Sequence, residues 1–113
     1  MSWDRYTDAH GQPESIGTEG GRIVADEEHG YGARITLEQS DQGDACAITC
    51  GVYGWMMHTR HLATLAEGRQ AYDAMKAALG AIMEQIPLKS DPELDRKTDE
   101  VVRAISAFCD RFP

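Results

Sequence analysis

Cys46 and Cys50, four residues apart, and His58 and His61, three apart, are the residues with which this sequence could ligate a metal ion or build a nucleophile. Zinc requires its thiolate and imidazole ligands within about 2.0–2.3 Å of one ion. On a strand, positions four apart lie roughly 13 Å from each other at a rise of ~3.3 Å per residue, and positions three apart point to opposite faces. The spacing fits no zinc site, no metal is expected, and the cysteines read as core thiols. A nucleophilic Cys50 would need a depressed pKa and a histidine beside it. A two-residue hairpin turn near Gly54 sends His58 to the face opposite Cys50, so Cys50 reads as an inert small hydrophobe.

Two other constellations carry charge. Asp26-Glu27-Glu28-His29 gathers three carboxylates and an imidazole in what reads as one loop. The alternating oxygen ligands of a calcium-binding helix–loop–helix are absent from it, so a solvated acidic turn is the expectation. Gly30-Tyr31-Gly32-Ala33 precedes a strand, whereas phosphate-cradling glycine loops precede a helix, and no cofactor is implied. The second constellation is one arginine from each expected strand, Arg22, Arg34 and Arg60, which with Thr49 and His58 would share the outer face of a sheet. Such a face could bind a small anion. Cross-strand pairing with Asp26 and Glu38, contributing about 0.2–1 kcal/mol per pair, would neutralise it and is the favoured reading.

The elements that would position these residues are arranged around Ala45–Leu62, which holds no carboxylate although acids are dense on both sides. As one strand it would span roughly 60 Å at ~3.3 Å per residue, so it folds back or bulges at Gly51-Val52-Tyr53-Gly54. A hairpin closing at Val52-Tyr53 or at Tyr53-Gly54 puts Cys46, Ile48, Cys50, Trp55 and Met57 inside and Thr49, His58 and Arg60 outside. Before it, Arg34-Ile35-Thr36-Leu37-Glu38 alternates as a half-buried strand, and Arg22–Asp26 reads as another, with Ile23 and Ala25 inward. Residues 1–13 read as a mobile arm, with a strand near Glu14–Thr18 turning at Gly20-Gly21.

From Leu62 or Leu65 to about Ile86 the apolar period becomes helical, through Leu65, Tyr72, Met75, Leu79, Ile82 and Ile86. Pro87 ends it, and Ser90-Asp91-Pro92-Glu93 resembles a capping box opening a second helix with Leu94, Val101, Ile105, Phe108 and Phe112 on one side. The expected fold is α+β: an antiparallel sheet of three to five strands over residues 14–62, covered on one face by two antiparallel helices over 63–113. The whole chain, 1–113, reads as one domain.

Composition narrows the function. The 113 residues carry a net charge of −8, which disfavours a nucleic-acid binder. Residues 1–44 hold ten carboxylates against three arginines, while residues 45–113 are almost balanced. Three cysteines are an odd number for a disulfide framework, no apolar run reaches a membrane span, and the start of the chain lacks a secretory layout. The expectation is a cytoplasmic protein without catalytic activity, homodimeric, with no nucleic-acid or membrane partner, acting by interaction or regulation. Two alternatives stand beside it. One is a protein that binds or acts on a small anionic metabolite through the arginine and histidine face. The other is an acidic inhibitor or immunity-type protein that masks a basic partner.

Overall fold

A computed structural model describes residues 2–113. Five antiparallel strands, β1 (Trp3–Arg5), β2 (Arg22–His29), β3 (Ala33–Gln39), β4 (Cys46–Val52) and β5 (Met56–Leu62), form one sheet in the order β1-β2-β3-β4-β5. Two helices follow, α1 (Leu65–Met83) and α2 (Leu94–Arg111), and pack on the sheet. The α+β expectation therefore holds, at five strands. Within the segment expected to be a mobile arm, Trp3–Arg5 is hydrogen-bonded as β1, opposite Glu27–His29.

The core lies between the helices and one face of the sheet. Ile35, Leu37, Ile48, Cys50 and Val52 meet Tyr72, Met75, Leu79, Ile82 and Met83 of α1, and Val101, Phe108 and Phe112 at α2. Thr64 caps α1, its hydroxyl accepting from the Glu67 N–H at 3.2 Å. The second helix starts later than the capping-box reading has it. Glu93 is the N-cap without a side-chain cap bond, and Asp91 organises the turn instead. Its carboxylate accepts from the Glu93 N–H at 2.8 Å and pairs with Lys97 at 2.6 Å.

Three expectations about the strands need correction. The β4–β5 connection has three residues, Tyr53-Gly54-Trp55, with the Trp55 N–H donating to the Val52 carbonyl at 2.8 Å. Gly54 sits at φ 81°, the left-handed conformation that a turn's third position requires of glycine. One extra loop residue reverses the parity of the following strand. Cys50 thus pairs with His58 and Ile48 with Arg60, which puts His58 and Arg60 on the helix face and leaves Met57 outside, 72% exposed.

At β2, a register shift between Ile23 and Ala25 pairs Ile23 with Glu38 and Ala25 with Leu37. The extra residue, Val24, separates two side chains expected to share a face. Finally, Asp26-Glu27-Glu28-His29 is no loop but the second half of β2. Acids disfavour strands in general, and these are held there by partners on both faces. Glu27 receives the Tyr72 hydroxyl at 2.7 Å and Lys76 at 3.1 Å, and Glu28 receives the Tyr53 hydroxyl at 2.6 Å.

Among the described residues, no helix is long and apolar enough to cross a membrane.

Candidate binding groove on the outer face of the sheet

All seven residues of β4 are buried, so both faces of the sheet centre are covered. The helices cover one. The other is roofed by the segment before β2, which folds into a tight hairpin: the Gly17 N–H donates to Gly21 O at 2.8 Å and the Ile23 N–H to Ser15 O at 3.0 Å. The turn falls at Thr18-Glu19-Gly20 instead of Gly20-Gly21, and only an Ile16–Arg22 bridge marks a strand there.

What holds this hairpin down is a buried carboxylate. Glu38, 2% exposed on β3, accepts from the Gly21 N–H at 2.6 Å and the Glu19 N–H at 3.1 Å. Charge-assisted bonds of this kind are the strong ones, and they compensate the desolvation of the carboxylate. The approach is so close that a Cβ on Gly17 would overlap the Glu38 carboxylate. A ladder of hydroxyls continues the contact, Thr18 to Thr49 at 3.1 Å and Thr49 to Thr59 at 3.4 Å.

Between hairpin and sheet lies a groove of about 440 Å³, whose walls include Ile16, Ile23, Arg34, Thr49, Tyr53 and Met57. Its apolar side chains are unusually open, with Ile16, Tyr53 and Met57 each more than half exposed. Its charges are already matched. Asp26 takes the Arg34 guanidinium on both oxygens, at 2.9 and 2.7 Å, and accepts from the Thr36 hydroxyl at 3.0 Å. Tyr6 stacks on the same guanidinium, 3.5 Å from ring centroid to Cζ. The Asp26 hydrogen bond, working against burial, raises the Arg34 pKa and keeps it cationic. Glu14 lines the groove beside Arg34, and two further carboxylates stand next to it, Asp26 on Arg34 and Glu28 on the Tyr53 hydroxyl.

The five residues expected to share one ligand-binding face are divided. Arg34 and Thr49 lie on the outer face and line the groove. His58 and Arg60 lie on the helix face, where the His58 ring meets the Phe112 carbonyl and the edge of Phe108, and Arg60 sits 5.7 Å over the Phe112 ring. Arg22 pairs with Gln39 at the start of β2, before the bulge. The spacing of strands suggested a common face, but the longer loop and the bulge each reverse one parity.

The same reversal brings His58 beside Cys50, the neighbour a nucleophilic thiol would need. Yet Cys50 is buried and its pKa is pushed up to about 12, by desolvation first and by the proximity of Cys109 second. A thiol so held stays protonated at neutral pH. Cys46 is likewise raised, and its thiol donates to the Thr64 carbonyl at 3.3 Å. His29, also buried, has its Nδ1 occupied as acceptor for the Tyr31 N–H at 3.1 Å, with Trp3 edge-on at 5.1 Å. Among the described residues, no group of three or more His, Cys, Asp or Glu side chains could hold a metal ion.

The groove itself could have been suspected from Gly17, Gly21 and Glu38 only by knowing that they meet. No protein-family model, curated protein or solved structure matches the chain.

Proposed function

We propose that this is a cytoplasmic, homodimeric interaction protein without catalytic activity, which binds an apolar segment of a partner protein flanked by basic residues in the outer-face groove. One observation carries the reading: the groove exposes Ile16, Tyr53 and Met57 around a cavity in which the lining arginine, Arg34, is already neutralised by Asp26. Exposed apolar side chains gathered in a concavity are what an interaction site offers. Around them the acidity of residues 1–44 favours a cationic partner and speeds its encounter. The three free thiols support a reducing compartment.

The small-anion alternative lacks its patch, since Arg22, His58 and Arg60 lie away from the groove and Arg34 is committed to Asp26.

Panning a displayed peptide library on the wild-type protein, with counter-selection on Met57→Lys, tests the reading. Selected peptides should combine aromatic or aliphatic residues with Lys or Arg. They should bind Met57→Lys about tenfold more weakly, a loss of about 1.4 kcal/mol. They should also weaken in about 0.5 M salt, where charge attraction is screened. Enrichment of acidic peptides, or binding indifferent to Met57→Lys, would overturn it.

A further inference from the structure

We propose that β5 is the edge through which two copies of this chain assemble, their Met56–Leu62 strands pairing antiparallel about a two-fold axis at Thr59. The inference rests on the reading above that the protein works as a homodimer, and it names the surface.

The two edges of the sheet are treated differently. On the β2 side, β1 pairs with Glu27–His29, the Tyr6 N–H donates to Asp26 O at 3.0 Å, and the Ile23 N–H donates to Ser15 O at 3.0 Å. The outermost strand there, β1, has only three residues and offers a short template. On the other side, β5 pairs only with β4 among the described residues. Its register runs unbroken from Val52–Met56 to Cys46–Leu62, with no bulge and no proline. Alternate backbone N–H and C=O groups of such an edge are free to bond another strand.

Charge and sequence select a second copy as the occupant. The chain carries −8, and two copies repel over most of their surfaces. β5 itself holds no carboxylate, and Glu19, which reaches it, is paired with His61 at 3.6 Å, so copies meeting there bring little acid against acid. The strand is also complementary to itself. Pairing about Thr59 sets Met56 opposite Leu62 of the second copy, Met57 opposite His61 and His58 opposite Arg60, with the two threonines facing at the axis. Apolar side chains then meet at both ends and hydroxyls in the middle, pairs that stabilise antiparallel strands. Met57, 72% exposed in one copy, gains cover. Because Met57 also borders the groove, the two grooves would flank the seam on one continuous face.

Light scattering on a sizing column should give about twice the 12.5 kDa chain mass at micromolar to about 100 µM protein. In a Cys109→Ser background, Thr59→Cys should form a covalent dimer under oxidised glutathione. Opposed Cα atoms in antiparallel strands lie about 4.5–5.5 Å apart, within the disulfide range of about 4.4–6.8 Å. Met57→Cys in the same background should not, its two copies being separated by roughly 13 Å along the strands. Thr59→Lys, with like charges at the axis, should be monomeric with unchanged circular dichroism. A monomeric wild type, or a dimer in which Thr59→Cys fails to cross-link or Met57→Cys links equally well, overturns the assignment. In that event the groove reading is judged separately, by whether the panned peptides still distinguish wild type from Met57→Lys.

Discussion

Substituting Gly17 by alanine should lift the hairpin that roofs the groove. The new Cβ would overlap the Glu38 carboxylate, so either the carboxylate or the Gly17–Gly21 backbone must move. Either movement breaks the bonds from the Gly21 N–H at 2.6 Å and the Glu19 N–H at 3.1 Å. A hydrogen bond to a charged group contributes about 1.5–3 kcal/mol, so losing both bounds the cost at roughly 3–6 kcal/mol. Water entering as the hairpin lifts will rehydrate Glu38, which brings the expected loss to about 2–4 kcal/mol. Urea melts of Gly17→Ala and of Gly43→Ala measure it. A Cβ on Gly43 meets nothing within 4 Å, and that variant should stay within about 0.5 kcal/mol of wild type. Combining Gly17→Ala with Glu38→Ala should cost at least 1 kcal/mol less than the two separate losses together, since the clash and the buried charge disappear at once. A Gly17→Ala protein as stable as Gly43→Ala would refute the claim that Glu38 anchors the hairpin.

Further outcomes follow from the corrected strand parity and from the buried groups. His58→Ala should lose about 1–2 kcal/mol in urea melts, through its bond to the Phe112 carbonyl and its edge contact with Phe108. Met57→Ala, at an outer position 72% exposed in the single chain, should lose less than His58→Ala, and the reverse order would restore the two-residue hairpin. Asp26→Ala strands Arg34 and the Thr36 hydroxyl and should cost about 2–4 kcal/mol in the same assay, whereas a change under 0.5 kcal/mol would mean the pair is solvated. For Cys50, whose pKa rises to about 12 in the fold, the unfolded thiol at ~8.5 releases its proton first as pH increases. Stability supplied by this group is therefore complete below pH ~8.5 and declines towards 12, by up to ~1.4 kcal/mol per unit. Chemical denaturation of Cys50→Ala between pH 8 and 11 should show a shallower decline than wild type, and identical slopes would contradict the burial.

The helices were legible because an apolar stripe repeated every three or four residues admits one secondary structure, and Leu79, Ile82, Val101 and Phe108 duly face the core. The parity of β5 was not. Gly54 is compatible with a two-residue or a three-residue loop, and that single residue decides whether His58 or Met57 points inward. The acidic run Asp26–Glu28 concealed a strand because its partners, Arg34, Tyr53, Tyr72 and Lys76, lie up to 49 positions away. The candidate groove was hidden for the same reason. Its roof depends on Glu38 of β3 reaching Gly21, 17 positions earlier and just before β2, a contact that no local pattern of period or propensity encodes.

The central claim is that the open apolar side chains of the outer face receive a cationic partner segment. Amide and methyl chemical shifts of the labelled protein, followed during titration with a synthetic peptide of alternating aromatic and lysine residues, test it directly. Shifts concentrated at Ile16, Thr18, Thr49, Tyr53 and Met57, and abolished in Met57→Lys, are the result this account predicts. Shifts concentrated on α1 and α2, or none at millimolar peptide, would contradict it.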